Sequence, residues 1–140
     1  MYDINYIMNL LKWDKCKEEQ ERGRVLARNV YVLSCFMQPC DKKFNINVWE
    51  NCAIIIAERS DEDLSGYISN LLQWLQDMNW PGSFIIFNRL KSFRKKKTLL
   101  YECNKAIVCA EALDDKVWAD NLQSLKNHLE MLEDTKDDDV

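Results

Sequence analysis

Between residues 60 and 93 the apolar positions fall into two runs separated by one sharp break. Leu64, Tyr67, Ile68, Leu71, Leu72 and Leu75 step by three and one in turn, which lays a single stripe along a helix of period 3.6. After the break come Phe84, Ile85, Ile86, Phe87, Leu90 and Phe93, a helix that reads as apolar almost all round and is expected to lie between others. The break holds Asp77, Asn79, Trp80 and Pro81. A proline suits a first helical turn because it needs no N–H, and it pushes the residue before it out of the α region. Asp and Asn side chains can accept from free N–H groups at the start of the next helix. The stretch from Leu71 to Leu90 therefore predicts two helices meeting at a corner.

The same period runs through most of the chain. Residues 3–13 predict a short helix with Ile4, Ile7, Met8 and Leu11 on one side. A longer helix opens among the charges from Asp14 to Arg24, is weakened near its start by Gly23, and carries Leu26, Asn29, Val30, Leu33, Phe36 and Met37 up to Pro39. Residues 39–47 read as a loop in which Asn45 or Asn47 can cap the next helix. Over residues 48–58, VWENCAIIIAE, the β-branched run Ile54 to Ile56 would suit a buried strand, but length and flanking caps favour a helix. Ser60 followed by Asp61, Glu62 and Asp63 is a helix start with acids at the positive end of the dipole. Leu99, Leu100, Cys103, Ala106, Ile107, Ala110 and Leu113 predict a sixth helix over about residues 98–113. Asp114 and Asp115 cap a seventh, whose stripe of Trp118, Leu122, Leu125, Leu129 and Leu132 is narrow enough for an outermost position.

Three glycines and two prolines in 140 residues are too few for the reversals of a strand-rich fold, so the fold class is all-α with about seven helices. Short connections imply antiparallel helical hairpins, and a helix apolar all round beside one with a single buried face suggests hairpins stacked into one compact domain. No exact repeat is visible, which leaves a compact orthogonal bundle open. The single domain is expected over residues 1–132, with an acidic, disordered tail over 133–140.

Charge sharpens this division. From Glu130 onward six acids face Lys136 alone, a balance of −5 within a whole-chain charge of −4, so the body carries about +1. A near-neutral body lacks the electrostatic footprint of a nucleic-acid binder. The one basic cluster, Arg89, Lys91 and Arg94 to Lys97, sits at the end of the fifth helix, where cations complement the dipole. No apolar run reaches the roughly 20 residues of a membrane span, and the N-terminus lacks the basic start and cleavage site of a secretory signal. A cytoplasmic protein without membrane contact is expected.

Chemistry is sparse. The six cysteines lack the pair spacing of a zinc knuckle, and in a reducing compartment they read as free thiols and small hydrophobes. His128 is the only imidazole and falls on the exposed side of the last helix. Three scattered glycines cannot build a phosphate loop. No cofactor, metal or small-molecule substrate is expected, and the chain does not read as an enzyme.

At WLQDMNWPG (74–82), with VWENCA (48–53) and SDEDLSGYI (60–68), the chain resembles a bacterial family of small all-helical proteins of unknown function marked by a WLQD-x-NWP signature, over about residues 18–132. Members of that family resemble HEAT-like helical repeats, which implies hairpins stacked in that manner. In kind they are similar to the immunity proteins of polymorphic toxin and contact-dependent growth-inhibition systems, which implies a cytosolic protein that binds and blocks a cognate toxin domain. Trp74, Asp77, Asn79, Trp80 and Pro81 match the signature and are expected to hold the fold. An inhibitor without catalytic parts must cover its target, and clustered carboxylates would match a toxin with a basic cleft. Glu111, Asp114, Asp115 and Asp120, around the turn into the last helix, are the expected partner-binding group, helix capping being their other use. The alternative function is a helical-repeat scaffold or adaptor with an unrelated cellular partner.

Overall fold

In a computed structural model, which describes residues 3–39 and 46–135 and only the backbone of 132–135, the helical stripes fold largely where their spacing predicts. The α-helices among the described residues are α1 (Ile4–Leu10), α2 (Lys17–Ala27), α3 (Trp49–Ala57), α4 (Asp61–Leu64), α5 (Ile68–Gln73), α6 (Ser83–Lys91), α7 (Lys96–Ala112) and α8 (Lys116–Thr135). A 3-10 turn, Ser65–Tyr67, joins α4 to α5, and another, Trp74–Gln76, closes α5. Counting Asp61 to Gln76 as one interrupted run gives seven helices, and there is no strand among the described residues. Ile54, Ile55 and Ile56 are helical. Among the described residues no helix is long and apolar enough to cross a membrane.

The second helix departs from its expected length. Its stripe continues to Met37, yet α2 stops at Ala27, and only a short 3-10 turn, Leu33–Phe36, follows. A residue distant in sequence meets this stop: the Arg59 guanidinium, just past α3, donates to the Ala27 carbonyl at 2.8 Å and to the Val30 carbonyl at 2.6 Å. A cation there satisfies carbonyls that the next turn of helix would otherwise use. Leu33, Phe36 and Met37 still reach the core, while Val32 and Tyr31 face solvent. Gly23 proves to be a packing residue: a Cβ there would lie 2.8 Å from Leu11 Cδ2, so its absence lets α1 approach α2.

Packing follows the order of the chain. α1 lies on α2, α2 on α3, α3 on α6, α5 on α7, α6 on α8 and α7 on α8. With the interrupted run counted as one helix, three of these pairs join helices two places apart, the neighbour relation of stacked hairpins. One continuous core contains Phe36, Ile56, Leu72, Trp74, Phe93 and Leu129. α8 supplies Trp118, Leu122, Leu125 and Leu129, each worth about 1.5 to 3 kcal/mol over exposure. Leu132, expected to extend that stripe, lies outside the described side chains. The backbone of α8 runs on through Thr135, and residues 136–140 of the expected acidic tail are outside the described residues.

Polar side chains fasten the layers by satisfying helix ends. Trp118 Nε1 donates to the Leu72 carbonyl at 3.0 Å and Asn121 Nδ2 to the Leu75 carbonyl at 2.7 Å, both at the end of α5. Buried Asn51 donates to the Leu11 carbonyl and to Gln20, and accepts from Arg24 at 2.6 Å, tying α1, α2 and α3 together. Arg89 donates to the Arg59 carbonyl at 2.8 Å and to Asp61 at 2.6 Å. Part of the basic cluster is thus internal, and buried Lys96 donates to the carbonyls of Lys91 and Phe93. α6 is less enclosed than its composition suggests, because Phe84 is exposed while Ile86 and Leu90 are buried.

Candidate protein-binding surface

The corner is a closed piece of architecture. α6 begins at Ser83, two residues later than Pro81, and its N-cap is Gly82 in the left-handed region at φ 87°. Trp74 is fully buried and its Nε1 donates to the Pro81 carbonyl at 2.9 Å. The Ser83 hydroxyl lies 2.9 Å from the Trp74 carbonyl and 2.8 Å from the Asp77 carbonyl, shared between them. Asp77 does not cap α6 as expected: its carboxylate accepts from the Asn79 N–H at 2.8 Å, a local turn that aims the chain back. A Cβ on Gly82 would fall 2.6 Å from Ala53 Cβ, so the corner sits directly on α3. Trp49 of α3 meets Trp74 and half-buried Trp80 edge to face, at ring centroids 6.3 and 5.4 Å apart. Exposed Asn79 is the one signature side chain turned outward.

The α7–α8 turn is the opposite kind of reversal. The Asp114 N–H donates to the Glu111 carbonyl at 3.0 Å and the Asp115 N–H to the Ala110 carbonyl at 2.8 Å, the paired bonds of a helix ended by a left-handed residue. That residue is Asp114, at φ 59°. The Asp115 carboxylate accepts from the Trp118 N–H at 3.1 Å and so starts α8. These bonds fix a tip on which Glu111, Asp114 and Asp120 are exposed and Asp115 is half-buried. Lys116 stands beside them and forms no ion pair with Asp120 among the described residues. Leu113, expected on the buried stripe, is 67% exposed, and Val117 is 61% exposed. The turn, held by backbone bonds, thus carries exposed apolar side chains and carboxylates together. Periodicity missed Leu113 because it treats the last residue of a stripe as buried, whereas a left-handed stop directs the chain away from the core.

Other chemistry stays apart from this tip. Among the described residues no three His, Cys, Asp or Glu side chains gather closely enough to hold a metal ion. His128 is exposed and meets Phe87 edge to face. Burial pushes the Cys52 thiol far up, and burial chiefly, opposed by Lys126, pushes the Cys103 thiol up to about 11, so neither is a thiolate at neutral pH. Asn47 leaves α3 uncapped by its side chain, and Asn45, the other expected cap, lies outside the described residues. An apolar groove of about 890 Å³ runs between α1 and the chain after α2, lined by Ile4, Ile7, Leu26, Val30, Tyr31 and Val32.

A family model described as a domain of unknown function, DUF5071, matches residues 42–139. The chain belongs to that family. The DUF5071 match takes in both the corner and the tip, whereas the groove, built from residues 3–35, precedes it. No curated protein and no solved structure matches the chain.

Proposed function

We propose that this chain is a cytosolic immunity protein that neutralises a cognate toxin domain by covering it, with the α7–α8 tip at the centre of the contact. The observation that carries the reading is the tip itself: exposed Leu113 and Val117 beside Glu111, Asp114 and Asp120 on a turn closed by two backbone bonds and one carboxylate cap. Apolar anchors supply affinity, and carboxylates steer a basic toxin surface toward them. Asp115 serves the tip as its cap, and the corner serves it by seating α5 and α6 beneath α8.

Co-expression with the product of the neighbouring gene tests the reading, which requires that product to be a toxin domain. Wild-type protein is expected to co-purify with the toxin and to protect cells, and the paired change Val117→Glu with Asp120→Lys to abolish both at unchanged protein level. Full protection by that variant would overturn the assignment of the tip. A second reading, a helical adaptor with an unrelated partner, is favoured by the apolar groove, which lies outside the family match. Retained binding by the tip variant together with loss on Val30→Glu would support it.

A further inference from the structure

The outer face of α7 takes no part in the core, and it runs from the basic turn before the helix to the acidic tip after it. Opposite the buried Leu99, Cys103 and Ala110, α7 turns Tyr101, Lys105, Val108 and Ala112 to solvent at steps of four, three and four, one straight strip. Tyr101 and Val108 are 63 and 66% exposed. Charge along the strip is graded. Arg94, Lys95 and Lys97 stand at its start, Glu102 and Lys105 lie 3.7 Å apart in its middle, and Glu111 and Asp114 stand at its end. A face that is basic at one end and acidic at the other complements its own copy when the two run antiparallel.

We propose that α7 pairs antiparallel with α7 of a second copy of this chain, about a two-fold axis passing near Asn104. Each contact then occurs twice, as a two-fold interface requires. Lys97 meets Glu111 of the second copy, Arg94 meets its Asp114, and Lys105 meets its Glu102, while Tyr101 packs on its Val108. Seventeen helical residues span about 25 Å, and one helix pair covers less than the about 800 Å² per partner of a standard interface. The dimer is therefore weak, with a dissociation constant on the order of 100 μM. It lays the basic turn of one copy over the acidic tip of the other, so self-association and toxin binding compete, although the pairing does not depend on the toxin reading.

Sedimentation equilibrium of the full chain, under reducing conditions and low salt, tests the pairing from about 5 to about 500 μM. The mass is expected to rise from 16.6 kDa toward twice that value, and to fall back as salt is added. Lys97→Glu and Glu111→Lys should each weaken association roughly tenfold, because each replaces two attractions by two repulsions, and the combined swap should restore it. Tyr101→Ser should leave a monomer with an unchanged circular dichroism spectrum. A single 16.6 kDa species at every concentration would overturn the proposal. So would a dimer that survives both charge reversals and Tyr101→Ser.

Discussion

The chain reverses direction at the corner from Trp74 to Ser83 and again at the turn from Leu113 to Asp115, and the two reversals are made of opposite materials. At the corner a buried indole, a shared hydroxyl and a glycine pressed on Ala53 face inward, and little is left for a partner. At the tip the backbone makes the turn with two N–H bonds and one carboxylate cap, so Leu113, Val117, Glu111 and Asp120 remain free to face outward. The most recognisable residues of a sequence are therefore not the ones best placed to recognise something else. A tryptophan engaged at both its ring and its N–H marks architecture, whereas Leu113 and Val117, left exposed on a turn the backbone itself makes, carry the contact proposed above.

Substitutions put this contrast at risk, beginning with the largest effect. Gly82→Ala forces a methyl against Ala53 on a left-handed backbone and should cost about 2 to 5 kcal/mol, read from the urea midpoint. A neutral result would mean that the corner is looser than its geometry. Arg89→Met removes the clamp on the Arg59 carbonyl and on Asp61, and should cost about 2 to 3 kcal/mol. Burial alone would raise the Asp61 carboxyl, but the Arg94 N–H, the Arg89 guanidinium and Lys96 together hold it below the usual carboxylate range. Because the folded value is depressed, this stabilisation is present above the ordinary carboxylate pKa and fades as pH falls through the folded value. Wild type should lose stability on acidification in that range, and Asp61→Asn should lose less.

Smaller effects belong to the tip. Asp115→Ala removes the cap on the Trp118 N–H and should cost about 0.5 to 2 kcal/mol. Asp114→Gly relieves a left-handed non-glycine residue and should stabilise the chain by about 0.5 to 1 kcal/mol, raising the melting temperature by a few degrees. Destabilisation by Asp114→Gly would show that the Asp114 side chain holds the turn, and would weaken the view of it as free for binding.

Most of the helical architecture was legible because burial and period coincide. Ser60, followed by three acids, caps α4 as it reads, with its hydroxyl 3.1 Å from the Asp63 N–H, and the narrow stripe of α8 lies where such a stripe belongs. The illegible parts depended on partners distant in sequence. Nothing near Ala27 announces that α2 will stop there, since the guanidinium that caps it comes from Arg59. Asp77 looks like a cap for the following helix and instead turns the chain locally, because Gly82 postpones that helix to Ser83. At the tip, the carboxylates were visible as a cluster, but the division of labour among them depends on φ at Asp114 and on the bond of Asp115, neither of which a spacing rule contains.

If the tip binds and the corner supports, the two should separate in a calorimetric titration of the partner recovered by co-purification into two variants, at a temperature where both are folded. Val117→Glu with Asp120→Lys should keep the wild-type melting temperature and lose at least about tenfold in affinity, while Asp77→Ala should melt lower and bind as wild type does. Wild-type affinity in the tip variant, with binding lost in a folded Asp77→Ala protein, would reverse the two roles.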